Sequence, residues 1–441
     1  MHLILITLSI ISLLGLFLLS YSSDSRILAQ DLANSEPTLT DPNLKVELVS
    51  RSLDFPTAID FLDNGDIIAI EKNTGNVYEL TNGNVTVPLL HVDVPSRDER
   101  GLLGLVVSVD KNNTSKENTL VYLYYTQCVK DQDTDTQDCK HNIYRYTLDK
   151  ESKKLVDPKL IVELPGLPGP AHNGGKLIMD KEKNLLVTIG DFQTTKFNQN
   201  MPGYDTKAQN ILNGTFPDGR AGILRMTQDG KPVGNGVLGN DSPLNLYYAY
   251  GIKNSFGIGF DPLTNNLWDT ENGPQFGDEI NLVKPGFNSG WEKVQGIWKL
   301  NQIREKESLF TNSSKVEFVD FNGKGKYSSP EFVWDKPVGP TALVFLNSDK
   351  LGEQYKNDMF VGSVKDGIIF HFDLSKDRES LDLTGQLADR VYSKKEDASS
   401  IVFGNNFGIV TDLKVGPDGY LYVVSGSRDT DIGVIYKIVP K

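Results

Sequence analysis

TAIDFLDNGDIIAIEKNTGNVYEL, residues 57–80, reads as an apolar strand, an Asn-Gly-Asp turn, a second apolar strand, a polar turn at Gly75 and a third strand. β-Branched and aromatic runs broken at such turns mark consecutive antiparallel hairpins. The same rhythm returns at the far end in TDLKVGPDGYLYVVSGSRDTDIGVIYKI, residues 411–438. Four more copies lie between: GLLGLVVSVD from Gly101, GGKLIMDKEKNLLVTIGD from Gly174, FGIGFDPLTNNLWDTENG from Phe256, and TALVFLNSDKLGEQYKNDMFVGSVKDGIIFHFDL from Thr341. One such unit cannot bury both of its faces, so repetition implies units stacked around an axis. The expectation is an all-β fold, a six-bladed β-propeller with four-stranded antiparallel blades around a central channel, over residues 44–441. A β-sandwich also has many short strands but does not predict the recurring unit. Successive copies begin about 45 to 85 residues apart, so insertions such as 198–216 and 295–329 are expected to shape a site.

Outside the repeats, residues 3–19 (LILITLSIISLLGLFLL) form an uncharged apolar run. Its length falls between a signal-peptide core and a membrane span, so 1–23 reads as a signal peptide or a membrane anchor. Residues 24–43 follow as a polar linker. The expected location is extracellular, periplasmic or cell-surface, with membrane attachment if the segment is retained. Cys128 and Cys139, the two cysteines of the 441-residue chain, bracket a polar loop between two strand-like runs, which suits a hairpin-closing disulfide in an oxidising compartment. Sequons at Asn84, Asn112, Asn113, Asn213, Asn240 and Asn312 permit glycosylation after export. A formal net charge of −13, with no Lys/Arg block, excludes the electrostatic footprint of a nucleic-acid binder.

Three polar clusters interrupt the strands at blade edges, where propeller loops converge. In GPAHNGGKL (169–177), His172 sits among glycines that let backbone approach a ligand, and a neutral imidazole can act as a general base near pH 7. YGIKNSFGIGF (250–260) offers Lys253 and Asn254 as donors. WDTENGPQFGDEINLVKPGFNSGW (268–291) offers Glu271, Asp278 and Glu279 as hard oxygen ligands for calcium. By themselves these residues also read as an exposed histidine and a solvated acidic rim.

The order GLLGL, AHNGGKL, TIGD, YAYGIKN, FDPLTNNLW, TENGP, GDEINLVKPG, VGSVKDG and VGPDGYLYV resembles the glucose/sorbosone dehydrogenase family over about residues 45–440. These are soluble propeller quinoproteins that use pyrroloquinoline quinone (PQQ). The resemblance implies that His172 takes the proton from a sugar hydroxyl while hydride passes to the quinone, and that Asp191 contacts substrate or orients the base. It implies that Gly273 and Pro274 offer backbone oxygens to a calcium ion that polarises the quinone. Glu279 matches a further calcium position. Lys253, Asn254 and Lys365 match cofactor contacts, and Glu99 a substrate-side position. An external electron acceptor is implied as well.

The sequence departs from the family pattern at several points. Lys253 replaces an arginine, giving a point charge where the family has a forked donor. Ile409 and Thr411 stand where quinone-using members carry two arginines, and Ser289 stands for a tyrosine near the second calcium position. PQQ bears three carboxylates, and each lost charge-assisted bond costs on the order of 1.5–3 kcal/mol, so two losses weaken binding by roughly two to four orders of magnitude. Three functions are therefore compatible with the sequence. The first is a PQQ-dependent sugar dehydrogenase. The second is a propeller that lost the quinone and binds carbohydrate or protein. The third is a calcium-dependent hydrolase or lactonase.

Overall fold

A computed structural model describes residues 36–110, 118–129, 138–167, 169–192, 204–311, 313, 315–365, 367–393, 400–427 and 432–441. The apolar segment 1–23, expected as a signal peptide or membrane anchor, most of the 24–43 linker, the sequons at Asn112, Asn113 and Asn312, and the start of the 198–216 insertion lie outside them. The architecture is all-β: among the described residues the helical segments are four three-residue 3-10 turns. No helix there is long and apolar enough to cross a membrane.

Six sheets follow one another along the chain, each with four antiparallel strands at its heart. The first comprises Pro56–Phe61, Ile67–Glu71, Asn76–Thr81 and Asn84–His91. The second comprises Leu102–Asp110, Asn118–Cys128, Cys139–Asp149 and Lys154–Pro165. The third comprises Leu177–Met179, Leu185–Ile189, Gly222–Met226 and Tyr247–Tyr250. The fourth comprises Ser255–Phe260, Leu267–Glu271, Asp278–Val283 and Phe332–Trp334. The fifth comprises Pro340–Phe345, Met359–Ser363, Ile369–Phe372 and Val402–Asn405. The sixth combines Ile409–Val415, Leu421–Gly426 and Ile432–Pro440 with Leu44–Asp54 from the other end of the chain.

The second strand of a sheet is the most deeply buried. IIAIE, LLVTI, LWDTE, MFVGS and LYVVSG are buried at every residue. Such a strand has a neighbouring sheet on each face, so its sequence is a continuous run rather than an alternation. Each junction between successive sheets holds its own apolar cluster. Val121 and Leu123 pack with Ile68 and Ile70 between the first two sheets, and Val424 and Ile435 pack with Ile59 and Ala69 between the sixth and the first. The other four junctions are filled in the same way. Strand contacts run from Pro56–Phe61 to Leu102–Asp110 and onward through the sheets, and Ile409–Val415 packs back on Pro56–Phe61.

The structure departs from uniform four-stranded units. Thr38–Leu39, inside the expected linker, pairs with Val402–Asn405 and extends the fifth sheet. Short parallel strands extend the third and fourth sheets. The 295–329 insertion contributes to a separate three-stranded sheet of Val294–Gln295, Trp298–Leu300 and Lys306–Leu309. These additions satisfy edge N–H and C=O groups that a bare fourth strand leaves open. Cys128 and Cys139 face each other across the second sheet and form the expected disulfide.

Candidate active site

The Gly-rich segment 169–176 joins the second sheet to the third. Within it His172 takes a left-handed backbone (φ 59°), as do Gly174 (φ 59°) and Gly175 (φ 107°). A non-glycine residue rarely holds that conformation unless its surroundings impose it. Here they do. Glu99 Oε2 accepts the Asn173 backbone N–H at 3.2 Å and the Asn254 side-chain amide at 3.2 Å. Asn254 Oδ1 accepts Gly174 N–H at 3.2 Å, and the Tyr124 hydroxyl donates to the Asn173 carbonyl at 2.9 Å. Glu99, Asn254 and the loop thus form one polar lattice across three sheets.

His172 Nδ1 lies 2.6 Å from Asp191 Oδ1. An ionised carboxylate only accepts, so Nδ1 carries the proton and Nε2 keeps its lone pair. The Lys253 amine stands 3.1 Å from that Nε2. Asp191 Oδ2 accepts the Trp291 indole N–H at 2.7 Å. The imidazole is 13% exposed and the Asp191 side chain 0%, so a small molecule can touch the base while its carboxylate stays dry. Burial lowers the Lys253 pKa against the opposing pull of Asp191, Glu99, Asp278 and Glu271.

Lys253 also joins this group to a second one. Its backbone N–H donates to Glu271 Oε1 at 2.7 Å. On the adjacent strands Leu267–Glu271 and Asp278–Val283, Asp269 stands opposite Asn281 and Glu271 opposite Glu279. The period of two along a strand puts all four on one face. The Ser289 hydroxyl reaches Glu271 Oε2 at 2.6 Å and Glu279 Oε2 at 3.2 Å. Asp269, Glu271 and Glu279 are each no more than 1% exposed, and neither Asp269 carboxylate oxygen has a hydrogen-bond partner. Burial raises all three: Asp269 to about 7, Glu279 to about 8, and Glu271 well above the usual carboxylate range, with Glu279 and Asp269 adding repulsion there. Asp269, Glu271 and Glu279 offer the hard oxygen donors that calcium takes, although their carboxyl oxygens do not all converge within 4.8 Å of one another as the ligand atoms of Asp358, His371 and Asp373 do.

The structure therefore brings His172, Asp191, Lys253, Asn254 and Glu99 together, and Glu279 joins the neighbouring acidic group. Asp278 is a correction. Its carboxylate accepts the backbone N–H groups of Gly273, Val338 and Gly339, each at 2.8 Å, so it pins turns instead of offering free ligand oxygens. The same contacts fix Gly273 and Pro274 beside the turn at Lys365, whose N–H donates to Val338 O at 3.0 Å; the Lys365 residue itself is exposed. Ile409 and Thr411 supply no cation, and the Thr411 hydroxyl donates to the Pro56 carbonyl at 2.7 Å. The adjacent Asp412 is instead paired with Lys176. Lys176 extends from the third sheet and Asp412 from the sixth, three junctions apart in either direction.

Sequence reasoning missed Trp291, Asp269 and Lys176. The first two had a local signal, a bulky aromatic closing a Gly turn and an acidic i, i+2 pair in WDTE. Lys176 had none. Gly190, just before Asp191, is required by close approach: a Cβ there would lie 2.1 Å from the His172 carbonyl oxygen and 2.9 Å from that of Lys253. Gly190→Ala is expected to lower stability by about 1–3 kcal/mol as backbone is pushed apart. Urea unfolding checks this, and an unchanged midpoint would show that the segment yields freely.

Comparison with known proteins agrees with this geometry. The family model "Glucose / Sorbosone dehydrogenase" matches residues 53–434. An aldose sugar dehydrogenase of Escherichia coli is 26% identical over 90% of this chain and 93% of its own. Quinoprotein glucose dehydrogenase B of Acinetobacter calcoaceticus is 25% identical over 92% and 86% respectively. Among solved structures, the apo form of the soluble Escherichia coli aldose sugar dehydrogenase superposes with a TM-score of 0.65 at 23% identity, over 90% of this chain and 100% of that one. The PQQ-bound aldose sugar dehydrogenase of Streptomyces coelicolor gives 0.60 at 19% identity, over 91% and 100%. With the model match spanning most of its length, the chain belongs to the glucose/sorbosone dehydrogenase family.

Proposed function

We propose that this protein is an exported, PQQ-dependent dehydrogenase of aldose-type sugars, built as a six-bladed propeller with its site at the channel mouth. The ring order of the six sheets, with one apolar cluster per junction and strand Leu44–Asp54 closing the last, supports the architecture. The observation that carries the activity is the His172–Asp191 pair, with Nδ1 held at 2.6 Å and Nε2, 3.1 Å from the Lys253 amine, turned away from the carboxylate as the proton-accepting atom. His172 removes the proton of the sugar hydroxyl as the C–H hydride leaves, giving the carbonyl product. Asp191, dry and fixed by Trp291, stabilises the imidazolium. Glu99 orients the sugar hydroxyls from the lattice it shares with Asn254. Bound PQQ would supply the two-electron hydride acceptor, and Gly273 and Pro274 would offer carbonyl oxygens to a calcium ion that polarises it. Lys253, Asn254 and Lys365 would be its polar contacts, Glu279 would contribute to a second calcium with Asp269 and Glu271 beside it, and an external acceptor would complete the cycle.

The residues fit the calcium better than they fit a tightly held tricarboxylate. With Ile409 and Thr411 in the arginine positions and Lys176 committed to Asp412, the affinity for PQQ is expected to be two to four orders of magnitude below that of arginine-bearing relatives, by the roughly 1.5–3 kcal/mol per lost bond given above. Calorimetric titration of the leaderless chain with PQQ and calcium, followed by a dye-linked aldose assay, tests this. Saturation below about 10 µM with turnover supports the dehydrogenase; no binding at about 100 µM removes it and leaves a carbohydrate- or protein-binding propeller.

A further inference from the structure

We propose that Trp291 is the positioning residue of the His172–Asp191 pair: its indole N–H fixes which way the Asp191 carboxylate faces and tempers the charge it presents to the imidazole. The two carboxylate oxygens have separate tasks, Oδ1 toward His172 Nδ1 at 2.6 Å and Oδ2 toward Trp291 Nε1 at 2.7 Å. Trp291 is itself held from every side. Its backbone N–H donates to the Gly251 carbonyl at 2.9 Å, and its own carbonyl accepts the Asn210 amide at 2.8 Å. Its ring packs with Phe276 and Leu300, and two cations lie over it, the Arg304 guanidinium at 5.6 Å and the Lys253 ammonium at 6.0 Å from the centroid.

Leu300 and Arg304 belong to the 295–329 insertion, and Arg304 also donates to Glu292 Oε1 at 2.6 Å. The insertion therefore acts on the site through Trp291. Any other placement of the ring would bury an unsatisfied indole N–H and take one donor from a dry carboxylate. A donor on Oδ2 withdraws charge from the carboxylate, which makes the neighbouring imidazolium easier to deprotonate. Trp291 thus makes His172 a weaker base than Asp191 alone would make it. The charged groups facing the pair are Lys253 at Nε2, Glu99 through the Asn173 loop, and Arg304 with Glu292 behind the indole.

The positioning is a property of the chain itself; only its catalytic use rests on the dehydrogenase reading. It is tested without substrate or cofactor, by following the His172 ring nitrogens by NMR across pH in the full chain and in Trp291→Phe. The phenyl ring keeps the apolar packing and removes the N–H. The expected result is a rise of the His172 midpoint by about half a unit to one unit. A midpoint within about 0.2 unit of the parent overturns the proposal. If Trp291→Phe does not fold, the indole proton of Trp291 is read in the unchanged protein. It is expected to shift through the same midpoint as His172, and an indole signal that ignores that titration overturns the proposal as well. If sugar oxidation is also measurable, the acid limb of kcat/KM moves with the NMR midpoint. A shifted midpoint in a protein that oxidises no sugar leaves the positioning intact and removes the dehydrogenase reading alone.

Discussion

His172→Ala is expected to lower the rate of sugar oxidation by about 10²–10⁴-fold, the range over which a positioned general base contributes. The loss is expected to fall on kcat, because the imidazole accepts its proton only as the hydroxyl bond breaks, while the Glu99–Asn254 lattice is left in place. Calcium and PQQ affinities are expected to change little. His172→Gln separates base from scaffold. Its amide can still donate to Asp191 but cannot take up a proton at neutral pH. It should therefore be as inactive as alanine and more stable, since alanine leaves Asp191 Oδ1, in a residue with 0% exposure, short of a donor at a cost of about 1–3 kcal/mol. Steady-state kinetics with urea unfolding of both variants distinguishes these effects. Parent-like turnover in either variant would move the base elsewhere.

The second large effect is on stability, and it reverses with calcium. Asp269 and Glu279 titrate at about 7 and about 8 in the folded chain, above their ordinary values of 3.8 and 4.5. Below about pH 3 both are protonated folded or unfolded and contribute no difference. As pH rises from there, the unfolded chain releases these protons while the folded chain retains them. Stability therefore falls, by up to about 1.4 kcal/mol per pH unit for each group, until the folded groups also ionise near pH 7–8. Glu292, raised to about 7 by burial despite Arg304, adds to the same trend. A divalent cation favours the ionised carboxylates and cancels the loss. In chelator the melting temperature is expected to drop between pH 5 and pH 8. Calcium at 100 times its Kd contributes about 2.7 kcal/mol at pH 8, roughly 3 °C for a chain of this length, and far less at pH 5 where protons compete. Glu279→Gln should abolish the calcium response. A flat profile in chelator, or an equal calcium effect at both pH values, would remove the acidic group as a metal site.

The two effects have different origins in the chain. His172 stood out because it lies in AHNGGKL, whose glycines signal close backbone approach, while Asp191 in TIGD was singled out only by the family resemblance. The acidic group was half legible. Glu271 and Glu279 stood out as oxygen ligands, but Asp269 looked like one more strand residue until the register set it across from Asn281. Asp278 was misjudged for the opposite reason. A carboxylate in a Gly-rich turn suits a metal, and nothing local reveals that backbone N–H groups from Val338 and Gly339, 60 and 61 residues away, already occupy it.

What the sequence determined by itself is the local alphabet of the fold: recurring strand and turn units, largely apolar second strands, the hairpin closed by Cys128 and Cys139, and His172 in its glycine loop. These depend on period, turn chemistry and short-range pairing, all of which are written within a few residues. The tertiary structure alone decided which distant side chains meet. Trp291 reaches Asp191 across 100 positions and Lys176 reaches Asp412 across 236, while Lys253 divides its backbone and side chain between the acidic group and the base. Such meetings follow from the order and closure of the sheets, and no local pattern of residues encodes the distance between two strands that never pair.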